Sequence, residues 1–200
     1  RAPELNKMSD FRTLGVSEEL IQGLNELGII EPSEIQLKGL PMLLDDTSDL
    51  VCRSETGTGK TVTFGIPLLH NIDPNLARIQ GLILAPTREL AKQIAKQLFK
   101  FTKYYHKIFT EAVYGGEDIG KHVQSLKRTT HIVVATPGRL VDLMKLKAVD
   151  LSAVQYVVLD EADDMMSRGF GAELDAILSH TRQRRGTWLF SATLPDDIQR

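Results

Sequence analysis

From Asp49 onward the chain alternates short apolar runs with stretches of helical spacing, and this alternation limits the fold more than any other feature. The strand-like runs fall at 50–53, 81–85, 109–114, 131–135, 156–160 and 187–191. Helical patterns follow at 61–70, 89–101, 120–126, 140–146, 171–179 and from Pro195 onward. Ile132-Val133-Val134 and Tyr156-Val157-Val158-Leu159 show no polar alternation, so both faces of those strands require burial. The fold class that meets this requirement is α/β, a parallel β-sheet sandwiched between helices. In such sheets ligands bind beyond the carboxyl ends of the strands, which makes each turn after a strand a candidate site. Two helices precede the alternation. The first has Ser17 as N-cap, Glu18 and Glu19 in its first turn, Leu20, Ile21, Leu24 and Leu27 on one face, and Gly28 as its stop. The second starts at Pro32 and Ser33 and runs through Leu44, with Ile35, Leu40, Leu43 and Leu44 as its apolar positions.

Ser54-Glu55-Thr56-Gly57-Thr58-Gly59-Lys60-Thr61 lies between the first such strand and its helix. Glycine lets successive N–H groups point into one concavity, and the helix N-terminus adds unpaired donors and a positive dipole end. Lys60 supplies a point charge for β- and γ-phosphates, and the Thr61 hydroxyl is placed to reach Mg²⁺. The spacing reads as a nucleoside-triphosphate cradle, with Ser54 standing where the full pattern has glycine. The bland alternative is a Gly/Thr-rich surface turn ahead of a helix.

With 200 residues, 42% apolar and 25% charged, the chain has the makings of one soluble domain with a proper core. A formal charge of −2 argues against nucleic-acid binding through a bulk positive field, so any grip on a polyanion must be local. The single Cys52 excludes an intrachain disulfide and reads as a buried, inert thiol. No run approaches the ~18 apolar residues that span a bilayer, and no signal peptide is visible. Residues 1–7 read as an expression scar or disordered lead-in, and 8–200 as one domain. The five histidines show no metal-ligand spacing. Met165, Met166 and Phe170 read as packing residues, and Arg182, Arg184 and Arg185 as a solvated loop.

Asp160-Glu161-Ala162-Asp163 follows the most apolar strand. A carboxylate there is placed to hold a metal beside the phosphate cradle: Asp160 to orient Mg²⁺, largely through water, and Glu161 to position the attacking water. The alternative is a helix N-terminus decorated with acids. These four residues spell the signature of the DEAD-box ATP-dependent RNA helicases, and further motifs appear in that family's order from Phe11 to Thr193. The chain resembles the first, N-terminal RecA-like domain of that family, a P-loop NTPase fold.

The resemblance implies the remaining sites. Gly28-Ile29-Ile30-Glu31-Pro32-Ser33-Glu34-Ile35-Gln36 is similar to the adenine-reading Q motif, with Gln36 matching the adenine edge and Phe11 stacking on the ring. The other reading of these residues is a helix cap at Ser33, an exposed Gln36 and a core Phe11. Pro86-Thr87-Arg88, Gly115-Gly116 and Thr136-Pro137-Gly138-Arg139 each follow a strand and read from the residues alone as strand-to-helix turns. In the family they line an RNA path that grips the sugar–phosphate backbone without reading bases. Ser191-Ala192-Thr193 resembles the motif that couples hydrolysis to RNA separation, with Ser191 donating to the Asp163 carboxylate.

The implied activity is RNA-stimulated ATP hydrolysis, with ATP and Mg²⁺, coupled to local duplex opening. The chain reads as a monomeric fragment of an intracellular, cytoplasmic protein with protein cofactors; a nuclear or organellar location stays open. The family's second RecA-like domain supplies arginine fingers worth on the order of 10³–10⁵ in rate. This chain alone is therefore expected to bind adenine nucleotide weakly and hydrolyse it very slowly. Two alternatives remain open: an ATP-gated RNA clamp or scaffold, and a P-loop ATPase that remodels DNA or protein.

Overall fold

The computed structural model describes residues 10–45, 49–55 and 59–194. The elements, in chain order, are α1 (Glu18–Glu26), α2 (Glu34–Leu44), β1 (Leu50–Arg53), α3 (Lys60–His70), β2 (Gly81–Leu84), α4 (Arg88–Phe101) and β3 (Thr110–Val113), followed by α5 (Ile119–Leu126), β4 (Ile132–Ala135), α6 (Pro137–Lys145), β5 (Tyr156–Leu159), α7 (Ala162–Ser167), α8 (Gly171–Ser179) and β6 (Gly186–Ser191). All strand pairs are parallel, in the order β1-β6-β5-β2-β4-β3. The expected helix from Pro195 onward and the lead-in at 1–7 lie outside the described residues.

Every residue of β2, β4 and β5 is buried, as their unbroken apolar runs require. Alternate side chains enter opposite cores. Ile83, Val134, Val158, Trp188 and Phe190 join residues of α1 to α4 on one face. Leu82, Val133, Val157 and Leu159 join Leu140, Leu143, Leu174 and Ile177 on the other. Each such side chain contributes roughly 1.5–3 kcal/mol when fully buried, so a sheet filled on both faces dominates the stability. β1 lies at an edge and alternates half-buried with exposed residues. Cys52 is accordingly half-buried rather than buried, and lines a cleft of about 900 Å³ between α2 and β1.

Helix ends carry the local chemistry. Gly28, at φ +79°, closes α1 in a Schellman motif: its N–H donates to the Asn25 carbonyl and that of Ile29 to the Leu24 carbonyl. Ser17 precedes α1, but its hydroxyl makes no capping bond. Ser33 does cap α2 and forms a full capping box with Gln36. α6 starts at Pro137, three residues before the expected Leu140, because proline at the first helical position needs no N–H partner. Arg184 is not a solvated residue: its Nη1 donates to the Leu178 and Thr181 carbonyls at 3.0 Å, at the end of α8. Met165 is buried and Phe170 half-buried, whereas Met166 is exposed.

Candidate active site

The strand order brings the ends of β1 and β5 to either side of β6. Lys60 opens α3 just after β1, and Asp160 follows β5 directly. Lys60 Nζ lies 3.1 Å from Asp160 Oδ1 and 3.3 Å from Glu161 Oε1. Asp160 is fully buried and Lys60 is 7% exposed. Burial pushes the Asp160 carboxyl above its ordinary pKa; the Lys60 cation pulls it back only in part, and the Glu161 charge adds to the rise. Among the described residues, neither Asp160 oxygen has a well-aligned hydrogen-bond donor, so Lys60 meets it chiefly as an ion pair and leaves room for further ligands. A buried carboxylate with unused lone pairs fits a hard divalent cation with its waters. Thr61 stands half-buried in the first turn of α3. Glu161 sits at φ 51°, ψ 52°, a left-handed conformation that costs a non-glycine residue about 1–2 kcal/mol. The following helix, α7, holds it there as its N-cap, with its carboxylate against Lys60.

The end of β6 joins the two motifs. The Ser191 carbonyl accepts from the Ser54 amide at 2.9 Å, and the Ser191 hydroxyl accepts from the Asp163 amide at 3.3 Å. The Asp163 carboxylate is held by Thr193, whose amide and hydroxyl donate to Oδ2 at 3.1 and 3.0 Å. The donor on that carboxylate is thus chiefly Thr193, while Ser191 meets the Asp163 backbone. Burial alone would raise Asp163, but the Thr193 hydroxyl and amide, the Asp164 amide and the Ser191 hydroxyl together hold it below its ordinary value.

Gln36 is 3% exposed, not free on the surface. Its Oε1 accepts from the Ser33 amide at 2.9 Å, and its Nε2 donates to the Gly59 carbonyl at 3.1 Å. α2 is thereby tied to the residue before Lys60. Gly59, at φ +81°, cannot be replaced without crowding, since a Cβ there would lie 2.6 Å from Gln36 Nε2. Phe11 is 1% exposed in the core beside Val16 and Leu20, so its ring offers no free face for a base to stack on. This departs from the stacking expectation. Ser54 is half-buried and Glu55 exposed, while Thr56, Gly57 and Thr58 lie outside the described residues.

The motifs after β2, β3 and β4 share one rim. Pro86 is buried, and Thr87 caps α4 by accepting from the Leu90 amide at 3.2 Å. The Thr136 hydroxyl accepts from the Gly115 amide at 3.2 Å, linking two of the turns. Gly115 and Gly116 are exposed, Gly116 at φ +85°. Pro137 is buried, and Gly138 has open space where a Cβ would stand. Arg88 lies over the Tyr114 ring, 4.8 Å from its centroid. Arg139 is turned onto His122 and the Glu117 carbonyl. Tyr114 and His122 were not expected here. Their signal is faint: an aromatic just before Gly115-Gly116, and a histidine on the buried side of α5.

A DEAD/DEAH box helicase family model matches residues 33–200. The DEAD-box ATP-dependent RNA helicase CshA of Bacillus cereus is 42% identical over 193 residues, 96% of this chain and 36% of that protein. CshA of Streptococcus pneumoniae is 44% identical over 190 residues, 95% of this chain and 36% of that protein. The crystal structure of a DEAD box protein from Methanococcus jannaschii superposes with a TM-score of 0.90 at 35% identity, covering 96% of this chain and 52% of that one. The chain therefore spans a little over a third of the length of these curated relatives. With its all-parallel six-stranded sheet and a family match over most of its length, the chain belongs to the DEAD/DEAH box helicase family and carries a RecA-like domain of it.

Proposed function

We propose that this chain is the N-terminal RecA-like domain of an ATP-dependent RNA helicase, carrying the ATP and magnesium motifs and half of an RNA surface. One observation carries the reading: Lys60 and Asp160, far apart in sequence, meet at 3.1 Å on the strand-end rim where ligands bind in such sheets. Lys60 exchanges its carboxylate partners for the β- and γ-phosphates, and Gly59 gives α3 an N-terminus that approaches them closely. Asp160 and Thr61 would hold Mg²⁺. When bound, that ion neutralises charge on the phosphates. Glu161, released from Lys60, accepts a hydrogen bond from the attacking water and orients it. Asp163, Ser191 and Thr193 link this site to the end of β6. Gln36 serves adenine selection through the hydrogen-bonding positions its contacts leave open, with Phe11 supporting α1 from the core. Thr87, Arg88, Gly116, Thr136, Gly138 and Arg139 present the sugar–phosphate grip, flanked by Pro86, Gly115 and Pro137.

The test uses the chain alone beside the longer protein that contains it. The chain is expected to bind ADP, to lose that binding in Lys60→Ala, and to show no multiple-turnover hydrolysis on adding RNA. The longer protein is expected to hydrolyse ATP in response to RNA and to stop in Glu161→Gln. GTP displacing bound ATP as well as ADP does would refute the role of Gln36. RNA-stimulated turnover by the chain alone would refute the division of labour between two domains.

A further inference from the structure

The rim that carries the candidate RNA motifs holds a continuous side-chain network. The Tyr114 ring has the Arg88 guanidinium 4.8 Å and the Lys92 ammonium 5.7 Å from its centroid. The His122 ring stands at 79° to it, with centroids 5.1 Å apart. His122 Nδ1 is 2.9 Å from Arg139 Nη1, and Arg139 Nη2 donates to the Glu117 carbonyl at 2.9 Å. Arginine has no lone pair to offer, so Nδ1 is the acceptor and the neutral imidazole carries its proton on Nε2. Burial, then the Arg139 charge, holds His122 below its ordinary pKa, which keeps that acceptor available at neutral pH. Among the described residues, Arg139 Nε is buried with no partner, so the guanidinium is held on one side and left short of acceptors on another.

We infer that Tyr114 and His122 are positioning residues for RNA: they set Arg88, from α4, and Arg139, from α6, as one pair for the phosphate backbone. The inference rests on the reading of this rim as an RNA surface. Both arginines arrive on flexible stems from separate elements. A π face under one and a ring nitrogen under the other fix where the charges sit before RNA arrives. Fixing them in advance removes an ordering cost from binding. Phosphate contacts carry no sequence information, so the pair sets the register of the strand rather than its identity.

The experiment is fluorescence anisotropy of the protein with a single-stranded oligouridylate across a series of salt concentrations. Tyr114→Leu and His122→Phe are each expected to weaken binding about three- to tenfold. Each is also expected to lower the slope of log affinity against log salt by about 0.7, the loss of one phosphate contact on a single strand. Tyr114→Phe keeps the π face and His122→Asn keeps an acceptor, so both are expected to stay near the wild-type affinity. A residue that merely stabilises the fold would leave the salt slope alone. Arg88→Ala and Arg139→Ala are the reference. If neither weakens RNA binding, the RNA reading of the rim fails. If both do while Tyr114→Leu and His122→Phe leave affinity and slope unchanged, the positioning inference is overturned. Should either of those fail to melt cooperatively, Tyr114→Met or His122→Leu takes its place, with the same expected losses and the same overturning result.

Discussion

Asp160→Asn is expected to make the nucleotide-free chain more stable while removing the hold on a magnesium nucleotide proposed for Asp160. Lys60, Asp160 and Glu161 form a cluster with two carboxylates and one cation. Asp160 is the fully buried member, whereas the Glu161 side chain is 24% exposed. Removing one partner of a buried ion pair usually destabilises by about 3–5 kcal/mol, because a buried charge is orphaned. Here Lys60 would keep Glu161 at 3.3 Å, so nothing is orphaned and the largest desolvation cost disappears. The expected gain lies at the low end of that seen when buried charges are replaced, about 1–2 kcal/mol. Each kcal/mol raises Tm by roughly 2–4 °C in a chain of this size. The sign of the pH dependence follows from the raised Asp160 pKa. Its favourable contribution is complete below the unfolded value, about 3.9, and is lost as pH rises through the higher folded value. The stability difference between Asp160→Asn and wild type should therefore open up as pH rises through that value and then level off. Urea unfolding without nucleotide, run across pH 4–8, reads both quantities. A variant less stable than wild type at neutral pH, or a difference that does not move with pH, would refute the argument.

Two further substitutions probe the joints around this cluster. Gly59→Ala places a Cβ 2.6 Å from Gln36 Nε2 at φ +81°, so it combines backbone strain with a displaced amide. A loss of about 2 kcal/mol in chemical denaturation is expected, and a change within about 0.5 kcal/mol would contradict it. Thr193→Val removes the hydroxyl at 3.0 Å from Asp163 but keeps the amide bond. The site is partly solvated, so a screened loss of about 0.5–1 kcal/mol is expected near pH 7. Because Asp163 is held low, its contribution is present above its unfolded value and is lost as pH falls through the folded one. The penalty for Thr193→Val should accordingly shrink in acid, and a penalty that grows there would count against the hydrogen bond.

The fold was legible because its strongest signal was physical. Unbroken apolar runs such as Tyr156-Val157-Val158-Leu159 admit no exposed face, and the sheet buries them on both sides. Lys60 and Asp160 were legible as partners because each follows a strand, and parallel strands end on one rim. What escaped depends on contacts that no local pattern records. α7, only six residues long, barely exceeds a helical turn and a half, so periodicity cannot mark it. The turn that closes α6, at Lys147 with φ 54°, has no glycine to announce it, although Lys147 and Ala148 make the same Schellman bonds as Gly28 and Ile29. Phe11 was given a ligand role from motif position, yet the packing of α1 draws it into the core. Gln36 was expected to face solvent or a base, and its amide instead spans from Ser33 to Gly59, 23 residues away.

These contacts give β6 a role that its own sequence hides. Ser54, just after β1, is tied to the Ser191 carbonyl, and Asp163, three residues beyond Asp160, is tied to the Ser191 hydroxyl and to Thr193. One strand end therefore touches both the segment that leads to Lys60 and the segment that follows Asp160. A ligand that pulls Lys60 away from Asp160 and Glu161 changes the charge beside α7, whose N-terminal residue is Ala162 and whose cap is Glu161. Asp163 stands in the first turn of that short helix, so a shift of α7 strains the Asp163–Thr193 bonds directly. Such bonds are each worth about 0.5–1.5 kcal/mol, comparable to the few kcal/mol that separate conformational states. The linkage is thus strong enough to bias the position of Thr193 and weak enough to be remade when such a ligand leaves.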